Sequence, residues 1–199
     1  MSGASRSGAN RSSHHHGNLR EVLIQAALEH VRERGAPSFS LRDATSAAGV
    51  TSGAAYRHFT SRADLLDEVV VIGFAQLSTS MQRRTATERG ERLLATGLAY
   101  VDFARNEPHL FALMFGPDGA AGRTTAKQAD LGAPSASAQL RSALTSFGFD
   151  DESTFLHAWG LAHGLAGLAA AGIVGPPEVD DVLANFIATR QPGPATSDQ

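Results

Sequence analysis

The chain has 199 residues, 42% hydrophobic and 19% charged, and no cysteine, which fits one large domain or two small ones sharing a core and excludes disulfides, a thiol nucleophile and thiolate metal sites. Its net charge of −3 is unevenly spread: residues 1–62 hold 8 Arg against 4 acidic side chains, whereas the remainder is net −7. A polyanion is therefore expected to meet only the front. No run of about 18 apolar residues occurs, and the first 17 residues offer serines, arginines and histidines where a signal peptide needs an apolar segment. This predicts a soluble, cytoplasmic protein with no membrane partner.

Residues 1–17 read as a disordered leader. Asn18 stands as a helix N-cap, and Leu19, Val22, Leu23, Ala26, Ala27 and Val31 follow at the i, i+3, i+4, i+7 spacing of an amphipathic helix that Gly35-Ala36-Pro37 ends. Ser40 caps a short helix over 41–48, which stops at Gly49. Thr51 caps a third over 52–59, and Ser61, three residues before Asp64, opens a fourth that runs to 80. Beyond these, helices are predicted over 91–106, 135–146, 151–171 and 178–190, with an apolar segment at 110–115. The stretch 116–134 holds four glycines and two prolines and reads as a mobile loop with a fragment of helix. Residues 191–199 read as a disordered tail. No alternating strand pattern occurs, so the fold is expected to be all-α.

Two short helices joined at Gly49-Val50-Thr51 have the form of a helix-turn-helix, in which the first helix braces and the second enters the major groove. The run from Ser40 through Ala48-Gly49-Val50-Thr51 to Tyr56-Arg57-His58-Phe59, followed by Ser61-Arg62 and Leu65-Leu66, resembles the DNA-binding domain of the tetracycline-repressor (TetR) family. Upstream, His15-His16-Gly17-Asn18-Leu19-Arg20 is similar to the entry of one branch of that family. Downstream, Pro108, Leu110-Phe111, Leu113-Met114-Phe115-Gly116, Trp159 and His163-Gly164 resemble the regulatory domain of the same branch, with its Trp and His-Gly signature. Two positions depart from the pattern: Ala44-Thr45 replaces a large aliphatic residue and alanine, and Arg62 stands where lysine is usual.

The resemblance implies a three-helix DNA-binding domain over 18–62 and a ligand-binding, dimerising helical bundle over 63–190. It implies a DNA operator as partner, a homodimer with a four-helix interface, a small apolar or aromatic effector and no cofactor. Thr51, Ser52, Gly53 and Ala54 open the recognition helix, where short side chains let the backbone approach DNA. Tyr56, His58 and Arg62 are expected at phosphates, Arg57 at a base edge or phosphate, and Ser40 and Arg42 at the backbone on the other side. Thymine methyl contact is expected from Ala54 or Ala55. Tyr56 reads equally well as a core aromatic, and Phe59 reads as core.

In the long helix over 151–171, Gly160, Gly164 and Gly167 each cost about 0.8–1 kcal/mol of helix propensity relative to alanine. Close approach of another helix would offset that, either a symmetry mate, with Val179, Leu183 and Phe186 completing the interface, or a neighbour in the same subunit. Trp159 and His163 are i, i+4 neighbours expected to face a cavity lined by Tyr100, Phe103, Phe111, Met114, Phe115 and Phe155, with His163 as its polar anchor; a plain aromatic core is the alternative. An enzyme using His163 or His157 lacks a nucleophile elbow, a phosphate loop or HExxH. A metal or ligand sensor using His109, His157 and His163 fares no better, because a six-residue separation puts His157 and His163 about 240° out of alignment on a helix.

Overall fold

The computed structural model describes residues 12–84, 89–129 and 134–190, and within them the chain forms ten α-helices, two short 3-10 segments and no strand. Helix α1, Ser12–Arg34, starts six residues before the expected cap. The predicted leader thus continues the helix backbone from 12 onward, and its remainder lies outside the described residues, as does the predicted tail. The buried stripe of α1 is Leu23, Ile24, Ala27, Leu28 and Val31, while Val22 is exposed. Ile24 and Leu28 were not in the expected stripe. They belong there because both i+3/i+4 rows face a broad core, and burial of each such side chain stabilises by about 1.5–3 kcal/mol.

Helix α2, Leu41–Ala47, begins with a reciprocal cap: Ser40 Oγ accepts from the Asp43 amide and the Asp43 carboxylate accepts from the Ser40 amide at 2.8 Å. Gly49 ends it at φ +66°, a left-handed conformation that side chains rarely adopt. Thr45, one of the two departures from the family pattern, is buried and returns its hydroxyl to the Arg42 carbonyl at 2.9 Å, so the polar atom is satisfied within its own helix. Helix α3 is regular only over Ser52–Ala55. The expected helix to 59 gives way to a turn after one cycle, in which the His58 and Phe59 amides both bond Ala55 O.

Helix α4, Arg62–Arg83, crosses from the head, formed by residues 18–62, into the body, formed by the helices that follow, and packs on α1 and on the helices over 89–106, 108–115, 120–128 and 136–146. Helix α5 spans Arg89–Asn106 and α6 Pro108–Phe115. The predicted loop at 116–134 is instead a 3-10 turn, Pro117–Gly119, and a helix α7, Ala120–Gln128, laid along α4. Its glycines serve close approach: a Cβ on Gly122 would lie 2.7 Å from Val70 Cβ and 2.9 Å from Asp67 O. Only a residue without a side chain seats α7 there. Helices α8, Ala136–Ser146, α9, Glu152–Ala170, and α10, Pro176–Ala188, complete the body, with Ser135 and Asp151 as side-chain N-caps. One core runs from α1 through α4, α5 and α6 into α9; a smaller one joins α5, α8, α9 and α10 around Leu144 and Phe155.

Candidate functional site

In the head, Thr51, Ser52, Gly53, Tyr56 and Arg57 form one exposed row across α3 and its turn. Tyr56 is 58% exposed, so its ring stands in solvent, and Phe59 is core at 3%. None of the four side chains on this row bonds another described residue. Arg42 is likewise exposed, and His58 is half-buried at the row's edge. Ala54 and Ala55, at 9% and 0% exposed, face inward, so a thymine methyl contact from Ala55 has no surface to use. The Ser40 side chain is engaged with Asp43, whose carboxyl these hydrogen bonds hold below its usual range.

Arg62 is occupied elsewhere than at the exposed row. Its Nε donates to Phe39 O at 2.9 Å and its Nη2 to Ala36 O at 2.6 Å, and Asp118 Oδ2 lies 3.3 Å from Nη2. It therefore joins the head to the 3-10 turn before α7. Arg32 makes a second joint, with Glu107 at 2.9 Å and Gln76 at 2.9 Å, and His109 Nδ1 meets Arg32 O at 2.8 Å. A third link lies on α4, where Asp67 Oδ1 accepts the Gly122 amide at 2.8 Å. Burial pushes the Asp67 carboxyl above its usual range, with the Gly122 hydrogen bond opposing.

The body contains a cavity of about 310 Å³. Of the residues expected to line it, Tyr100, Phe115 and Trp159 do so. Phe103, Phe111 and Met114 are buried in the main core, and Phe155 lies in the smaller core with the Arg141 guanidinium 3.6 Å from its ring centroid. His163 does not line the cavity. Its Nδ1 shares a hydrogen bond with Tyr100 OH at 2.9 Å, and its ring packs tilted against Phe111 at 5.4 Å and edge-to-face with Phe115 at 4.8 Å, so it orients a wall residue from behind. Burial holds His163 below its usual pKa and raises that of the Tyr100 phenol.

The rest of the lining comes from residues not expected there from the sequence: Phe74, Ser78 and Met81 on α4, Thr96 and Gly97 on α5, Arg123, Ala126 and Lys127 on α7, the first half of α8 with Leu140, and Ala162 on α9. The helix of 120–128 was the missing piece, since its wall lay in a segment read as loop. Among the interface candidates, Gly160, Gly164 and Gly167 have nothing within 4 Å of an added Cβ and lie on an exposed face of α9. Val179 and Leu183 turn the other way, into the subunit, with Leu183 Cδ1 only 3.2 Å from a Cβ built on Gly97. Phe186 is half-buried under the Arg190 guanidinium, 4.1 Å from its ring centroid.

Two family models match the chain: residues 23–69 fit bacterial regulatory proteins of the tetR family, and residues 93–189 fit the tetracyclin repressor-like C-terminal domain. The chain belongs to the TetR family of transcriptional regulators. Among solved structures, a protein of unknown function from Rhodococcus sp. RHA1 is 30% identical, with a TM-score of 0.71 over 88% of this chain and 94% of that one. A protein from Rhodococcus sp. described as a TetR-family transcriptional regulator is 16% identical, with a TM-score of 0.64 over 88% and 100% of the two chains. The TetR-family regulator PfmR from Thermus thermophilus is 16% identical, with a TM-score of 0.57 over 85% and 96%. No curated protein matches the chain. Among the described residues, no helix is long and apolar enough to cross a membrane.

Proposed function

We propose that this TetR-family regulator is a dimeric, cytoplasmic repressor that acts by binding rather than by turnover. Residues 18–62 hold an operator of two inverted half-sites, and residues 63–190 dimerise and receive a small-molecule effector in the cavity. The observation that carries the proposal is the exposed row Thr51, Ser52, Gly53, Tyr56 and Arg57 on the helix-turn-helix, whose polar side chains make no hydrogen bond to other described residues. Such a row offers hydroxyls, a phenol and a guanidinium to phosphates and base edges. The open glycine face of α9 supports pairing with a second copy, which would bring two such rows to half-sites about 34–36 Å apart.

Release follows from differential affinity: the effector favours a head separation that no longer fits the groove repeat. The links that support this route are polar and few. Helix α7 is both cavity wall and partner of α4, through Gly122 and Asp67, and the turn before it pairs Asp118 with Arg62, which holds Ala36 O and Phe39 O of the head. A shift of α7 therefore reaches the head through two hydrogen-bonded joints. Selection of bound duplexes from a random pool by the purified protein tests the reading. An enriched inverted repeat, bound by two subunits, is expected; a protein that stays monomeric and enriches no sequence at low salt overturns it.

A further inference from the structure

We propose that the effector is an amphiphilic carboxylate, an apolar body with one anionic head, the head held by α7 and the body by the aromatic wall. This inference rests on the reading of the cavity as an effector site. Arg123 and Lys127 stand four residues apart on α7, hence on one helix face, and both line the cavity. Lys127 is the only lysine in the chain and lines the cavity while remaining exposed. Arg123 is half-buried, and its Nη1 donates to the carbonyls of Met114 and Gly116 at 2.8 and 2.6 Å. These carbonyls orient the guanidinium without neutralising it, and leave further N–H groups of its fork available.

No aspartate or glutamate of the described residues lines the cavity. Among the described residues the lining thus holds two cations and no carboxylate, in a part of the chain that is net negative, a charge that favours an anionic ligand over a cationic one. On α4, Ser78 lines the same cavity, and its Oγ is buried with no hydrogen-bond partner among the described residues. A buried hydroxyl without a partner is the atom a ligand oxygen satisfies. Between these groups Phe74, Phe115 and Trp159 present apolar surface. A volume of about 310 Å³ lies at the lower end of small-molecule sites, ~300–1,000 Å³, and suits a medium-length acyl chain or a fused aromatic acid. A carboxylate gains most where a cation stands beside apolar walls, because the competing water is already excluded.

Trp159, the only tryptophan, lines the cavity and reports binding. The test titrates the full chain, at pH 7.5 and below micellar concentrations, with decanoate, 1-decanol and decylammonium, and follows tryptophan emission. Decanoate is expected to bind at least tenfold more tightly than decanol, with decylammonium weakest. Lys127→Gln should lower the decanoate preference at least fivefold, and Ser78→Ala should weaken decanoate binding with the emission maximum of the free protein unchanged. Decanol or decylammonium binding as tightly as decanoate would overturn the anionic head and leave the effector site standing. So would a decanoate preference that survives both Lys127→Gln and Arg123→Gln. If none of the three probes moves the emission, the anionic head and the effector reading fall together.

Discussion

The head and the body of this molecule handle side chains in opposite ways. In the head, three helices and the start of α4 pack a core beneath an exposed row whose side chains make no hydrogen bond to another described residue. In the body, helices α4, α5, α6, α7, α8 and α9 leave a cavity between them, lined by side chains that face one another across it. The head presents side chains outward on local structure of some twenty residues; the body gathers them inward from six segments of the chain. A site of the first kind is set by caps and a turn. A site of the second kind exists only after the helices have packed.

The largest effect that tests this contrast is on stability. Leu23 is fully buried in the head's core, whereas Leu140 lines the cavity. Leu23→Ala should cost about 2–5 kcal/mol, as truncations in filled cores do. Leu140→Ala should fall at or below the low end of that range, because one side of the leucine already lacks partner atoms. Urea unfolding of the two variants reads the difference directly. Equal losses would mean that the cavity is collapsed in solution and that the contrast between head and body is wrong.

Next in size is the operator. Arg57→Ala should cost about 1–3 kcal/mol of operator affinity if it reads a base edge, with relaxed preference at that position. Tyr56→Phe should weaken all sequences alike through loss of one phosphate contact. Gel shifts against operator and scrambled duplex separate the two behaviours. A pair of variants that bind like the parent protein would remove the exposed row from the interface and leave the head with no assigned surface.

Much of the head was legible in the sequence because its determinants are near neighbours in the chain. The Ser40 and Ser61 caps, the Gly49 turn and the stop after Arg34 are all read within four residues. What was not legible depends on packing between segments far apart. The direction of Ala55, the engagement of Arg62 with Ala36 O and Phe39 O, and the helix at 120–128 each require knowing where α1, α4 and α6 lie. Glycine misled for the same reason. In 116–134 it reads as a breaker by local rules, yet Gly122 is small because Val70 and Asp67 sit against it. Aromatic residues misled in the other direction: Phe103, Phe111 and Phe155, with Met114 among them, share the composition of a pocket wall but fill core.

The glycines of α9 offer a smaller and sharper measurement. Gly160 and Gly164 have open space where a Cβ would go, so within one subunit alanine fits without a clash. If the face met only water, Gly160→Ala and Gly164→Ala would each stabilise by about 0.8–1 kcal/mol through helix propensity. With a partner helix packed on it, the added methyls push the copies apart. Sedimentation at several concentrations should then show weakened dimers, and Gly164→Glu should give monomers. Stabilised dimers of undiminished affinity would send the interface to another face.

Asp118→Ala tests the joint between the two regions. The Arg62–Asp118 pair is partly solvent-exposed, so solvent screening should limit its loss to about 1 kcal/mol of stability. Its expected effect is on communication: operator affinity of the free protein stays within twofold, while the ratio of affinities with and without an inducing ligand shrinks. Asp67→Ala, which removes the acceptor of the Gly122 amide, should shrink the same ratio. Full induction in the double variant would route the signal elsewhere.

The smallest expected effect concerns pH and the residue behind the cavity wall. Burial lowers the pKa of His163 in the folded protein, so the unfolded chain binds this proton more readily than the native state does. The contribution to stability is then complete above the unfolded value of about 6.5 and declines as pH falls below it, until the folded-state value is passed. Protonation also adds a second donor to a ring whose Nδ1 is hydrogen-bonded to Tyr100 OH and whose faces lie near Phe111 and Phe115. His163→Gln, which keeps a polar group without the titration, should flatten the stability profile between pH 6.5 and 5 relative to the parent protein. Because Tyr100 lines the cavity and His163 does not, the same variant should alter effector affinity less than Tyr100→Ala does. The reverse order would return His163 to the role of polar anchor, inside the cavity in place of behind it.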